Sequence, residues 1–101
     1  MGTILLVRNL SYDVTPAQLQ KLFSSAGKVS DVYLVTDRWT ATPKGFGFVQ
    51  MTTEAAAKKA VQLIHDTKWL DRTLLVRAAT DNDLRMGGIA PGQKLGATVN
   101  D

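Results

Sequence analysis

The stretch that most narrows what this chain can become is Lys44-Gly45-Phe46-Gly47-Phe48-Val49-Gln50-Met51. Glycine and phenylalanine alternate here at the period of a β-strand, so successive side chains go to opposite faces. One face then carries Lys44, Phe46, Phe48 and Gln50, and the other Gly45, Gly47, Val49 and Met51. A row that begins with lysine and ends with glutamine does not suit a core, so the phenylalanine row is expected to face water. The glycine-containing row is expected to lie under helices, where small residues permit close approach. Such a strand fits a sheet with one covered and one open face.

The remaining segments supply that sheet. Thr3 to Arg8 is β-branched and aliphatic and ends at Asn9-Leu10-Ser11, which predicts a first strand. Thr15-Pro16-Ala17-Gln18 has a cap, a proline at the first helical position and a glutamine completing a capping box. Leu19, Leu22, Phe23 and Ala26 follow as one helical stripe that stops at Gly27. Val29 to Thr36 predicts the second strand, with Val32 and Leu34 on one face and Tyr33 and Val35 on the other. Asp37 to Pro43 is a polar loop. Thr52 or Thr53 caps a second helix with the stripe Ala57, Ala60, Val61, Ile64, closed by His65 and Asp66. Lys68-Trp69-Leu70 is a short extended piece, Asp71-Arg72 a turn, and Thr73 to Ala79 the last strand. The order β-α-β-β-α-β predicts an α+β, ferredoxin-like sandwich, a four-stranded antiparallel sheet with two helices on one face.

Beyond Thr80 the pattern changes. Met86-Gly87-Gly88-Ile89-Ala90-Pro91-Gly92 and Gly96 break any period, so residues 80–101 are expected to be a flexible glycine-containing tail or linker after a domain at 1–79. A chain of 101 residues with 45% hydrophobic content suits one domain with one modest core. The formal charge of +3 is compatible with a polyanionic partner. Cysteine is absent, which excludes a disulfide framework and a thiolate metal site. His65 has no second histidine to share a metal, and its position at a helix end suits a partial positive charge. No cofactor or metal is expected. Ile4 to Val7 is too short a run to cross a membrane and lacks a charged leader, so a cytoplasmic protein without a membrane partner is expected, nucleus or plastid remaining open. A monomer is expected.

Two rings on an open sheet beside a lysine suit single-stranded nucleic acid: bases stack on the rings and the cation meets phosphate. The alternative is that Phe46 and Phe48 fill an ordinary sandwich core, which would need a further element to cover that face.

The octamer Lys44 to Met51 closely resembles the longer signature motif of the RNA recognition motif (RRM) family, with Met51 in place of its final aromatic residue. Leu5-Leu6-Val7-Arg8-Asn9-Leu10 is similar to the family's hexamer on the first strand, although the family usually has an aromatic residue where this chain has Leu6. The resemblance spans residues 2–79, includes Thr36-Asp37-Arg38 and Trp69-Leu70-Asp71-Arg72, and looks most like compact single-RRM proteins of bacteria, cyanobacteria and plastids. It implies binding of single-stranded RNA, with no catalysis. The implied contacts are Phe48 and Phe46 as stacking rings and Lys44, Arg8 and Arg77 as phosphate partners. Tyr33 and Gln50 are expected to touch bases and Leu75 to frame them, and Leu6 and Asn9 are counted among the contacts. Leu6 offers apolar contact without a π face, for which the Arg8 guanidinium can compensate. Trp39 is expected to pack on the stem of its own loop rather than over a bound strand, and Trp69 to be structural.

Three rivals remain open. Acylphosphatases share the fold class, but their arginine cradle has no counterpart in Asn9-Leu10-Ser11-Tyr12-Asp13. Some RRM domains bind peptides through an Arg-x-Phe motif, where this chain has Thr67-Lys68-Trp69. Single-stranded DNA would satisfy the same stacking and phosphate contacts, because only a 2′-hydroxyl contact distinguishes RNA.

Overall fold

A computed structural model describes residues 2–37, 39–90 and 95. The elements run β1 (Ile4–Arg8), α1 (Pro16–Phe23), β2 (Val29–Thr36), β3 (Pro43–Met51), α2 (Glu54–Ile64), β4 (Lys68–Trp69), β5 (Arg72–Thr73), β6 (Leu75–Ala78) and α3 (Asp81–Met86). The main sheet has the order β2-β3-β1-β6, and each neighbouring pair is antiparallel. The α+β ferredoxin-like architecture expected from the sequence is the one observed. Strands β4 and β5 form a separate small hairpin whose turn residues, Leu70 and Asp71, both have positive φ.

Local signals account for the ends of the first two helices. At α1 the Gln18 N–H donates to Thr15 Oγ1 (3.2 Å) and the Thr15 N–H to Gln18 Oε1 (3.0 Å), the reciprocal capping box, with Pro16 at the first helical position. At α2 the cap is Thr53, whose hydroxyl accepts from the Ala56 N–H. Leu19 and Phe23 of α1 and Ala57, Ala60 and Ile64 of α2 point into one core. There they meet Leu5 and Val7 of β1, Val32 of β2, Val49 and Met51 of β3, and Val76 of β6. Both helices therefore cover the same face, and Trp69 packs against its margin. Met51, which takes the place of the final aromatic residue of the motif it resembles, is enclosed in this core. Among the described residues, no helix is long and apolar enough to cross a membrane.

The strand glycines do not serve the helices as expected. A Cβ at Gly47 would stand 2.6 Å from the Tyr33 carbonyl oxygen of the neighbouring strand. At Gly45, whose φ is +82°, it would stand 3.2 Å from Tyr12 Cε1. Gly45 thus bends the start of β3 in a conformation other residues rarely adopt and lets the Tyr12 ring lie against the strand. His65 also differs from expectation. Its Nδ1 accepts a hydrogen bond from the Val76 N–H (3.0 Å), so the ring serves as an acceptor that ties the end of α2 to β6.

The main departure lies after β6. Instead of a flexible tail, residues 81–86 form a helix stopped at both ends by its own sequence. Thr80 Oγ1 accepts from the Asp83 N–H (3.1 Å) while Asp83 Oδ2 accepts from the Thr80 N–H (2.9 Å), a second capping box. At the other end the Ile89 N–H donates to the Leu84 carbonyl (2.8 Å) and the Gly88 N–H to the Arg85 carbonyl (3.0 Å). Gly88, with φ of +80°, supplies the left-handed turn that this Schellman closure requires. Glycines expected to dissolve structure here terminate it. Residues 91–94 and 96–101 of the expected tail lie outside the described residues.

Candidate nucleic-acid interface

The register sets the face opposite α1 and α2. Across the sheet, Tyr33 of β2 stands beside Phe48 of β3, Phe48 beside Leu6 of β1, and Leu6 beside Arg77 of β6. The next row along holds Phe46, Arg8 and Leu75. Further on, Gln50 lies opposite Ile4, and its side-chain amide donates to Thr3 Oγ1 (3.2 Å). The alternation read from the octamer therefore assigns the faces correctly and brings the expected side chains onto one surface. Phe46 and Phe48 meet edge to face, their ring centroids 6.3 Å apart and the planes at 79°.

The expectation that this surface lies open to water fails at its centre. Phe48 is 0% exposed and Leu6 is 2% exposed. With Val35 they form a second core, closed from above by Leu84 of α3 and by Ile89 and Leu95 beyond it. Tyr33, Phe46 and Ala79 are partly buried around its edge. The close seat of α3 depends on Gly87, where a Cβ would stand 2.5 Å from Phe48 Cε2. The further covering element that a sandwich core requires is thus present, and the C-terminal segment supplies it. Neither the stacking expected of Phe48 nor the apolar contact expected of Leu6 is available in this conformation.

Arg77 is likewise engaged. Its guanidinium donates to both carboxylate oxygens of Asp83, through Nη1 (2.5 Å) and Nη2 (2.9 Å). Asp83 is buried at 5% exposure. The Arg77 hydrogen bond, reinforced by the Thr80 backbone and hydroxyl, holds its carboxyl down at about 2 against the opposing effect of burial. Asn9 is occupied as well. Its side-chain nitrogen donates to the Thr73 carbonyl (2.8 Å) and its oxygen accepts from Arg72 Nη1 (3.1 Å), a clasp between β1 and the small hairpin.

What remains open is a margin around α3. Arg8 and Lys44 are exposed, Phe46 and Tyr33 partly so, and Leu75 is exposed at the edge strand. Two residues that the sequence reading passed over join them. Tyr12, 66% exposed and seated against Gly45, and Arg72 line a recess of about 270 Å³ together with Arg8, Asn9, Lys44 and Phe46. The sequence offers a signal for Tyr12 alone, an aromatic residue in the loop after the first strand; the nearness of Arg72 comes from the fold.

Trp39, expected to pack on its own loop, instead stands 86% exposed on the other side of Lys44. Its backbone is fixed by Asp37, whose Oδ1 accepts from the Trp39 N–H (2.8 Å) and the Thr40 N–H (3.1 Å). These bonds hold the Asp37 carboxyl below the usual carboxylate range, with the Lys44 charge adding to the effect. Among the described residues the only ion pair is Arg77 with Asp83, which leaves Arg8, Lys44, Arg72 and Arg85 without a carboxylate partner.

The profile of the RNA recognition motif matches residues 5–75. The chain belongs to the RRM family. RbpE of Nostoc sp. is 44% identical over 85 residues, which cover 81% of this chain and 86% of RbpE. RbpA of Synechocystis sp. is 40% identical over 82 residues, 81% of each chain. The 29 kDa chloroplastic ribonucleoprotein of Arabidopsis thaliana is 38% identical over 92 residues, 91% of this chain but 27% of that protein. Among solved structures, the crystal structure of RNA binding protein PG1 superposes with a TM-score of 0.74 at 35% identity, covering 77% of this chain and 94% of that one. An RNA15 RRM with bound GU RNA matches with a TM-score of 0.72 at 22% identity, a likeness of fold. The family resemblance read from the octamer and the hexamer is therefore borne out. Helix α3, at residues 81–86, lies beyond the span that the RRM profile matches.

Proposed function

We propose that this RRM binds single-stranded RNA, first engaging it along the open margin formed by Trp39, Lys44, Phe46, Arg8, Tyr12 and Arg72. The observation that carries this reading is the interleaving of exposed rings with cations that lack a carboxylate partner among the described residues. Bases stack on aromatic faces whatever their identity, and unpaired cations track the phosphates. Family membership supports RNA as the ligand, as do the names of RbpE and RbpA, which refer to RNA binding. The RRM family is known for binding RNA rather than for catalysis.

Of the contacts expected from sequence, Lys44, Arg8 and Phe46 are proposed as direct ones, with Tyr33 and Leu75 beside them. Tyr12→Ala and Phe46→Ala should each weaken binding roughly tenfold, since a stacked base contributes about 1–3 kcal/mol. A fluorescence titration with a pool of random ten-nucleotide RNAs measures this. Unchanged affinity in both variants would remove the margin from consideration. The same titration with DNA of matched length tests for a 2′-hydroxyl contact.

One observation favours a second reading. The sheet already holds the aliphatic side chains of Leu84, Ile89 and Leu95 of its own chain, a packing that an apolar peptide would share. On that reading the partner is a protein segment, and the margin variants would leave RNA affinity unaltered.

A further inference from the structure

The C-terminal segment satisfies the sheet with the chemistry that a nucleic acid would bring. Arg77 holds an anion in a two-pronged grip, the arrangement guanidinium groups also use for phosphate, but the anion is Asp83 of the same chain. Phe48 and Leu6 carry an apolar layer, as stacked bases would provide, but the layer is Leu84, Ile89 and Leu95. We infer that α3 with Ile89 and Leu95 is a displaceable lid that competes with single-stranded RNA for the Tyr33–Phe48–Leu6–Arg77 row. This inference rests on the RNA-binding reading above and adds its regulation.

Three features favour a lid over a permanent wall. Helix α3 has six residues, well below the length at which a helix persists alone in water, so its order depends on docking. Releasing it dismantles only the second core. Among the described residues, the first core, shared by α1, α2 and the other sheet face, includes none beyond Val76. The boundary between lid and margin is also accessible. Exposed Met86, with Asn82 and Asp83, lines a recess of about 430 Å³ shared with Leu6, Arg8, Phe46 and Arg77. A strand bound at Arg8 and Phe46 therefore lies beside the Asp83–Arg77 pair it must displace.

The affinity of the full platform is reduced by the fraction of molecules whose lid is open. If that fraction is roughly 1–10%, as is common for a minor state, opening the lid should tighten binding roughly 10- to 100-fold. The test uses the full chain and the paired substitution Leu84→Ser with Ile89→Ser, which leaves the charge unchanged. The probe is the pool of random ten-nucleotide RNAs. Amide hydrogen exchange at Gly88 and Ile89 reports the lid, and exchange at Val7 and Val49 reports the first core.

The expected result is at least tenfold tighter binding by the paired variant, and loss of that gain when Phe48→Ala is added. In the unsubstituted chain, saturating RNA should abolish protection at Gly88 and Ile89. Protection that survives RNA saturation overturns the lid, as does an opened variant that binds no tighter while Tyr12→Ala and Phe46→Ala still weaken binding. Should the paired substitution disturb the first core, the exchange measurement on the unsubstituted chain decides alone. Absence of RNA binding in every form overturns the RNA reading and the lid with it, and is distinguishable because no margin variant then has an effect.

Discussion

Replacing Gly87 by alanine adds one methyl group where the end of α3 closes on the Phe48 ring. The backbone there, φ −85° and ψ 1°, is open to alanine, so any effect comes from space rather than from strain in the chain. The new Cβ would stand 2.5 Å from Phe48 Cε2, 3.1 Å from Phe48 Cζ and 3.3 Å from Val35 Cγ2. The ring has little room to withdraw, because it is fully enclosed and meets Phe46 edge-on. Overpacking of this kind costs about 1–3 kcal/mol. Alanine returns about 0.4–1 kcal/mol by restricting the undocked chain. The net loss of docking, about 1–2 kcal/mol, corresponds to a roughly 5- to 30-fold rise in the undocked population. Amide exchange at Ile89, whose N–H is bonded to the Leu84 carbonyl, should accelerate by that factor while Val7 and Val49 stay unchanged. Unaltered exchange at Ile89 would mean that the methyl group had found room and that Gly87 does not control how α3 sits.

Two further outcomes follow from the same contacts. Leu6→Phe, which restores the aromatic residue usual for the family, should loosen α3 rather than simply add a stacking ring. Leu6 is enclosed between Phe48 and Arg77, so the larger side chain should cost about 1–3 kcal/mol of docking, read by exchange at Gly88 and Ile89. The Asp83 carboxyl is held down at about 2 from an ordinary 3.8, so its contribution to docking is present above pH 4 and is lost as the pH falls from there toward 2. The half-exposed Arg77 limits that contribution to about 1 kcal/mol. Exchange at Ile89 corrected for its intrinsic pH dependence should stay flat between pH 8 and 5 and rise below 4, and Asp83→Asn should remove the rise. A rise of equal size in Asp83→Asn would assign the acid sensitivity to another group.

Much of this architecture was legible because it is written in local chemistry. The period-two alternation of Lys44 to Met51 assigned Phe46 and Phe48 to one face and Val49 and Met51 to the other, and the register agrees. Thr15, Pro16 and Gln18 marked the start of α1 by hydrogen bonds made within four residues. The same kind of signal was present at Thr80 and Asp83, and the Gly87-Gly88 pair is a helix stop as readily as a loop. These marks were outweighed by the glycine content of residues 86–96, which suggests disorder when composition is considered without capping geometry. Tyr12 is a different case. Its importance comes from a recess shared with Arg72, about sixty positions away in the chain, and proximity at that separation has no local signature.

Element order, the side chains that share each face, and membership in the RRM family all rest on period, caps and motifs within a few residues, so the amino-acid string carries them. Whether the ring-bearing face meets solvent is a matter of long-range packing. A strand pattern states which way Phe48 points, but not what lies above it. That depended on α3 returning over the sheet, with Gly87 small enough to seat against the ring and Asp83 aligned with Arg77. Contacts of this kind arise when separate segments meet in space, so the pattern of one strand does not record them.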